Sequence, residues 1–213
     1  MYAYRQPATP PVVKNIIIAN CVALLATTLL PTGEELIARF ALFNVESSFF
    51  HSYQIFTYMF LHGGVSHLFF NMFALWMFGR IVEYDLGSKR FLTYYLACGV
   101  GAAVIQLAVN YAEIASLVAQ GYTHLPRFST VGASGAVFGL LLAYGMLHPN
   151  NIIMLMFPPI ALKAKWFVVI YGVLELVGGV ASSSNVAHFA HLGGMLFGFL
   201  LLRYWKKHNK IWY

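Results

Sequence analysis

Apolar residues in this chain are grouped into six runs, separated by stretches that carry most of the charges, the prolines and most of the asparagines. The runs lie at Ile16–Leu30, His67–Val82, Phe91–Tyr111, Ser134–Leu147, Trp166–Ala181 and His188–Trp205. Apolar runs of this kind are typical of helices that cross a bilayer, whose hydrocarbon core is about 30 Å thick. The pattern therefore predicts an all-α membrane protein, a bundle of six transmembrane helices.

The composition supports a membrane class. Of the 213 residues, 60% are hydrophobic and only 9% are charged, whereas soluble domains average about 25% charged residues. We therefore expect the lipid bilayer to surround residues 14–205, with a disordered tail at residues 1–13 and a basic tail at residues 206–213. The net charge of +6 does not indicate a nucleic-acid partner, because the basic residues lie between and after the apolar runs.

The distribution of basic residues predicts the orientation of the bundle. If the N-terminus is cytoplasmic, all of the 13 Lys and Arg residues except Arg39 and Arg127 fall on the cytoplasmic side. Cytoplasmic loops of membrane proteins carry an excess of Lys and Arg. Both termini are therefore predicted to be cytoplasmic.

The fourth run is shorter than a membrane crossing requires. At about 1.5 Å per residue, Ser134–Leu147 spans roughly 21 Å, and the turn at His148-Pro149 holds its inner end at the cytoplasmic face. Its outer end, which begins at Ser134, must then stop below the outer surface. Irregular backbone at this depth is tolerated only beside protein or a water-filled cavity. Ser134 is therefore predicted to lie at the floor of a pocket that opens to the non-cytoplasmic side.

Ser134 and His191 are the candidate catalytic pair. A serine at the start of a helix is often only an N-cap. Here Gly135 and Gly139 permit close approach of another helix, and Gly194 and Gly198 share one face of the sixth run with His191. Close packing of two small-residue faces brings backbones together. We expect His191 to hydrogen-bond Ser134, as a base activates a serine nucleophile.

Three further polar residues lie near this pair. His188 is one turn before His191 and is the alternative base, although the register with Gly194 favours His191. His67 and Asn71 are four residues apart on the second run and are candidate hydrogen-bond donors to an oxyanion, together with the Ser134 amide. Their other interpretation is interhelical hydrogen bonding.

Glu175 is the acidic residue within the fifth run. We expect it to be protonated or bonded to a neighbouring helix, and no aspartate fits a third position beside the histidine. The sequence therefore favours a Ser–His dyad. Gly179, on the same run, is expected to tolerate substitution far better than Gly194.

These motifs together resemble the rhomboid intramembrane serine proteases. They are Phe56-Thr57-Tyr58-Met59-Phe60-Leu61-His62, His67-x-x-x-Asn71, Gly132-Ala133-Ser134-Gly135, and Ala190-His191-Leu192-Gly193-Gly194 with Gly198. The resemblance implies a six-helix core, Ser134 as nucleophile, His191 as general base, and oxyanion donors from His67, Asn71 and the Ser134 amide. It also implies that the fifth helix gates substrate access from the lipid.

The chain departs from the family pattern at two places. The family often has a Trp-Arg pair before the Phe-Thr stretch, and this chain has Tyr53-Gln54. Some members have Tyr four residues after the serine, and this chain has Phe138. The second change is expected to keep ring stacking on His191 and to remove only a hydroxyl.

Three functions remain open at this stage. The first is a serine endopeptidase, without cofactor or metal, that cleaves transmembrane proteins, in the inner membrane of a bacterial cell. The second is an inactive rhomboid-like protein that binds transmembrane helices. The third is a metal or haem protein built on His62, His67, His188 and His191. The sequence places no acidic residue as a helper for such a site, which argues against this function.

Overall fold

The computed structural model describes residues 9–123, 126, 128–155, 159–181 and 187–208. The protein is mostly helical. The helices are α1 Pro11–Leu29, α2 Gly33–Phe40, α3 Gln54–Thr57, α4 Val65–Ala74, α5 Arg80–Leu86, α6 Ser88–Ala119, α7 Ser134–Leu147, α8 Ala164–Ala181 and α9 His188–Lys207. A 3₁₀ turn at Tyr58–Phe60 follows α3, and a π-helical segment at Leu75–Gly79 joins α4 to α5.

Two short antiparallel strand pairs, which the sequence did not predict, accompany the helices. β1, Leu42–Phe43, pairs with β2, Ser129–Thr130. β3, Ile152–Met154, pairs with β4, Ala161–Lys163. The first pairing ties the loop after α2 to the chain that leads into α7.

Four of the described helical stretches are long and apolar enough to cross a membrane: Pro11–Leu29, Val65–Leu86, Ser88–Ala119 and Ala164–Ala181. α7 has 14 residues and is a shorter apolar helix, with the predicted bounds. α9 has 20 residues, but His188, His191 and Arg203 lower its apolar character. The architecture is that of a polytopic helical membrane protein, while the count of six crossings and their orientation stay predictions.

The predicted tail boundaries shift at both ends. α1 begins at Pro11, and Val13 is fully buried, so residues 11–13 belong to the helix and not to a disordered tail. A proline suits the first helical position because its missing N–H has no partner there. At the other end, α9 continues through Lys207. The rest of the two predicted tails, residues 1–8 and 209–213, lies outside the described residues.

The buried carboxylate of Glu83 on α5 explains why α1 starts where it does. Its oxygens accept hydrogen bonds from the backbone N–H groups of Val12 (3.1 Å) and Val13 (2.8 Å). The Ser88 hydroxyl donates to it at 2.6 Å. A carboxylate at a helix N-terminus satisfies unpaired N–H groups and complements the helix dipole. Glu83 therefore links α1, α5 and α6 at one end of the bundle.

α7 is the central helix, and most of its residues are buried. Its contacts are close because glycines face its neighbours. A β-carbon at Gly139 would overlap the Cys98 sulfur of α6 and would lie 2.8 Å from the Gly194 carbonyl oxygen of α9. The Tyr94 hydroxyl donates to the Gly139 carbonyl at 2.7 Å. The backbones of α7 and α9 are therefore in close contact, as the small-residue pattern predicts, and the Cys98 side chain of α6 packs against the same glycine.

Gln54 anchors the loop between α1 and α3, at the position where the family often has arginine. Its side chain is fully buried. Nε2 donates to the carbonyls of Arg39 (3.1 Å) and Phe49 (2.8 Å), and Oε1 accepts from the N–H groups of His51 (3.2 Å) and Phe43 (3.4 Å). Buried polar groups are stable when every donor and acceptor is paired. The loop is therefore held by an amide without a charge.

Gly194 and Gly179 differ less than the sequence predicts. A β-carbon at Gly194 would overlap the carbonyl group of Gly135, which is backbone and cannot move aside. A β-carbon at Gly179 would lie 3.0 Å from the ring of Phe189. The expectation of loose packing at Gly179 is wrong. The remaining difference is that the Phe189 ring beside Gly179 can move aside, whereas the Gly135 backbone beside Gly194 cannot.

We predict that Gly194→Ala destabilises the protein by about 1–3 kcal/mol or more, because it overpacks the contact between α7 and α9. The matched control is Gly172→Ala on α8, where the new β-carbon would meet the flexible end of Met195 at an ordinary 3.4 Å. Thermal unfolding in detergent measures both. Equal unfolding temperatures for the two variants would contradict the close contact.

Candidate functional site

The N-terminus of α7 places Ser134 in a cavity. Gly132 has a φ of +131°, a conformation that residues with a β-carbon rarely adopt. Its N–H donates to the Tyr58 carbonyl at 3.0 Å, which satisfies the irregular backbone before the helix. The cavity has a volume of about 700 Å³. Its lining includes Ser134, His191, His67, Asn71 and Phe138.

Ser134 and His191 meet as the sequence predicts. The distance between Ser134 Oγ and His191 Nε2 is 2.8 Å. The His191 ring stacks on Phe138 of α7, with ring centroids 4.1 Å apart and planes 7° apart. The predicted stacking is confirmed. It fixes the plane of the imidazole, so that Nε2 points at the hydroxyl. A serine hydroxyl bonded to a held imidazole can lose its proton to that ring.

His67 lies beside Ser134, close to the backbone of Gly132. A β-carbon at Gly132 would lie 3.0 Å from His67 Nε2, so only glycine lets the ring approach this backbone. The Gly63 N–H donates to His67 Nδ1 at 3.3 Å. An accepting Nδ1 places the proton of a neutral ring on Nε2. His67 Nε2 is then a donor directed toward the space next to Ser134.

Asn71 and His62 support this arrangement. Asn71 Nδ2 donates to the His67 carbonyl at 2.9 Å, which leaves the second N–H of the amide for the cavity. His62, in the loop before α4, lies edge-on to the His67 ring, with centroids 5.0 Å apart. Burial lowers the pKa of His62 to about 4, with a further contribution from His67. His62 is therefore neutral at neutral pH and packs against His67 without adding charge.

Glu175 makes contacts with two histidines that the sequence did not identify. Its Oε2 lies 2.8 Å from His191 Nδ1 and 2.7 Å from His188 Nδ1. The expectation that it bonds to a neighbouring helix is confirmed. The expectation that no acidic residue is placed as a helper beside these histidines is wrong, because Glu175 lies at hydrogen-bond distance from both. A polar residue near the middle of the fifth apolar run was the signal, but only the packing of α8 on α9 identifies its partners.

The same three residues are the one cluster in the described part of the chain with donor atoms placed for a metal ion. The ligand atoms of Glu175, His188 and His191 all lie within 4.8 Å of one another. The wider set proposed for a metal or haem, with His62 and His67, does not converge on one point. His62 and His67 instead pack against each other, and His67 lies close to Gly132.

Comparison with known proteins identifies the family. Residues 50–207 match the family model described as the Rhomboid domain. This match covers about three quarters of the chain and includes all the residues that line the cavity.

Three curated relatives show how far the likeness extends. The chain is 35% identical over 147 residues to Rhomboid protease GluP of Bacillus subtilis (strain 168), covering 69% of this chain and 25% of that protein. It is 31% identical over 157 residues to RHOMBOID-like protein 12, mitochondrial, of Arabidopsis thaliana (71% and 45%). It is 32% identical over 142 residues to Rhomboid protein 1, mitochondrial, of Saccharomyces cerevisiae (66% and 38%).

The aligned region spans a quarter to less than half of the length of these relatives. Their names include a protease and two proteins named only as rhomboid or rhomboid-like, so the likeness extends to the domain and not to one activity. The family match, the apolar helices and the residues around the cavity agree with one another. The chain belongs to the rhomboid family of multi-pass membrane proteins.

Proposed function

We propose that this protein is an intramembrane serine endopeptidase that hydrolyses peptide bonds in or near transmembrane segments of other membrane proteins. The observation that carries the proposal is the 2.8 Å hydrogen bond between Ser134 Oγ and His191 Nε2, in a cavity of about 700 Å³. A family relative is named as a protease, which agrees with the proposal.

In this reaction Ser134 attacks the substrate carbonyl and passes its proton to His191 Nε2. His191 gives this proton to the leaving amine as the C–N bond breaks and the acyl-enzyme forms. Water from the cavity then loses a proton to His191 and attacks the acyl-enzyme, and His191 returns the proton to Ser134 as the second product leaves. The oxyanion is stabilised by His67 Nε2–H, the free N–H of Asn71 and the Ser134 amide, since preorganised donors act on charge that develops in the transition state. No metal or cofactor takes part in these steps.

The alternative is a rhomboid-like protein that binds transmembrane helices without cleaving them. The hydrogen-bonded Ser134 and His191, with His67 directed to the same point, favour the protease, because binding alone does not need an aligned nucleophile and base. We propose further that the cavity opens on the non-cytoplasmic side, on the basis of the distribution of Lys and Arg. A bacterial inner membrane is the proposed location, because identity to the bacterial relative exceeds that to the two mitochondrial ones.

We predict that Ser134→Ala lowers cleavage of a transmembrane substrate by about 10³-fold or more, as expected for loss of a nucleophile. The unfolding temperature should stay near that of the wild type, because a single hydroxyl is removed from a cavity. The assay uses purified protein in detergent or proteoliposomes. Cleavage by Ser134→Ala at the wild-type rate would remove the serine-protease mechanism.

We predict that His191→Ala is as damaging as Ser134→Ala and that His188→Ala is milder. His191 Nε2 lies 2.8 Å from the Ser134 hydroxyl, whereas His188 Nδ1 lies 2.7 Å from Glu175 Oε2. The cleavage rates of the two variants on one substrate decide the ranking. The reverse order would make His188 the base and would require another register of α9.

We predict that Asn71→Ala lowers kcat by about 10²–10³-fold with little change in KM, because an oxyanion donor acts mainly in the transition state. Asn71→Ala also removes the hydrogen bond to the His67 carbonyl within α4. The unfolding temperature of the variant therefore shows whether this loss has damaged the helix. A raised KM at constant kcat would instead assign Asn71 to substrate binding.

A further inference from the structure

We propose that Glu175 is a positioning residue for His191, so that the reactive group is a Ser134–His191–Glu175 triad whose acidic member is supplied by α8. This inference rests on the proposed function and adds to it. It makes the alignment of the catalytic base depend on where α8 lies, so that the triad is complete only when α8 is seated against α9.

The hydrogen bonds define the tautomer of His191. Nδ1 lies 2.8 Å from Glu175 Oε2 and Nε2 lies 2.8 Å from Ser134 Oγ. An ionised carboxylate only accepts hydrogen bonds, so its neighbour Nδ1 carries the proton of the neutral ring. Nε2 then offers its lone pair to the serine, which is the form that a general base requires. When Ser134 gives up its proton, the carboxylate faces the imidazolium that forms.

A buried carboxylate at the position of Glu175 must be paired with hydrogen-bond donors that offset the cost of burying its charge. The Glu175 side chain is 13% exposed and the His191 side chain 9%, and an unpaired charge at membrane depth costs several kcal/mol. Two ring nitrogens, from His188 and His191, lie at hydrogen-bond distance from the same oxygen. His188 therefore has its own role, since it provides a second donor that holds the carboxylate in place.

The position of Glu175 on α8 connects this group to the movement of a helix. The buried residues of α8 are Ala164, Phe167 and Val168, all near its start. Around Glu175 the neighbours Leu174 and Val177 are exposed, at 58% and 56%. This half of α8 is held to α9 by the bonds of Glu175 and by the close contacts of Gly178 with His188 and of Gly179 with Phe189. Lateral displacement of α8 would therefore remove the carboxylate from His191.

A metal ion shared by Glu175, His188 and His191 is the competing explanation for the cluster. Two ligands on one tetrahedral zinc, with bonds of about 2.0–2.1 Å, lie about 3.3 Å apart. The separations from Glu175 Oε2 to the two Nδ1 atoms are 2.7 and 2.8 Å. These shorter distances are those of charge-assisted hydrogen bonds, so the geometry favours the positioning role.

The first experiment measures the rate at which a fluorophosphonate labels Ser134, alongside kcat and KM for a transmembrane substrate. Glu175→Gln should lower labelling and kcat together by about 10²-fold or more, because the amide can present a donor to Nδ1 and disturb the tautomer. KM should change by less than about twofold. Glu175→Asp should recover part of the loss. Leu174→Ala, an exposed neighbour on the same helix, should label like the wild type.

A double-mutant cycle tests the dependence on α8. Gly178→Leu keeps Glu175 and pushes α8 away from His188, since even a β-carbon there would lie 2.7 Å from the ring. Gly178→Leu alone should slow labelling of Ser134. In protein that already carries Glu175→Gln it should slow labelling little further, because both substitutions act through the bond between Glu175 and His191. Additive losses would overturn the coupling to α8.

Other outcomes separate this inference from the proposed function. If Glu175→Gln is labelled as fast as the wild-type protein, and the wild-type protein is labelled at Ser134, the triad is overturned while the proposed protease function stands. Failure of the wild-type protein to label at all would overturn the proposed function first. Loss of labelling on EDTA treatment, with recovery on adding Zn²⁺, would assign the cluster to a metal and overturn the positioning role.

Discussion

The contact between α7 and α9 is the constraint on which the rest of the site depends. Gly194 meets the carbonyl group of Gly135 so closely that no side chain fits between them. This contact is adjacent to Ser134 on one helix and three residues from His191 on the other. A hydrogen bond of 2.8 Å between two short side chains on separate helices requires backbones at this distance. The small residues therefore set the reactive geometry, although none of them takes part in chemistry.

Three buried or partly buried polar side chains, Glu83, Gln54 and Glu175, are paired with groups on other segments. Glu83 is bonded to the start of α1 and to Ser88, Gln54 to four backbone groups, and Glu175 to two histidines. Because a bilayer offers no water to an unpaired group, each such residue acts as a fixed link between segments. Glu83 links α1, α5 and α6, and Gln54 holds the loop before α3, whereas Glu175 links His191 of α9 to α8.

The sequence predicted the central helix and its partner well, for a physical reason. α7 has the predicted bounds of Ser134 and Leu147, because a glycine-flanked serine begins it and a His-Pro turn ends it. The pairing of Ser134 with His191 followed from the register of glycines, which is a property of each helix alone. The stacking of Phe138 on His191 was expected from the resemblance to the family pattern, in which an aromatic residue follows the serine by four positions.

What the sequence did not predict depends on contacts between distant segments. The sequence predicts that Glu175 can bond to a neighbouring helix but does not identify its two partners, which come from α9. Gln54 appears in the sequence only as a departure from the Trp-Arg pattern, whereas its amide bonds to a loop that has no periodic pattern. The pairing of β1 with β2 involves two residues on each side, which is too short for an alternating pattern to show.

The central claim is that Ser134 is a nucleophile activated by His191, and the most direct measurement is the site of a covalent adduct. Purified protein is treated with a fluorophosphonate, digested and mapped by mass spectrometry. The account predicts a single adduct on Ser134, formed at least about 10²-fold more slowly in His191→Ala, in line with loss of a general base. An unmodified Ser134, or an equally fast adduct without His191, would contradict the account.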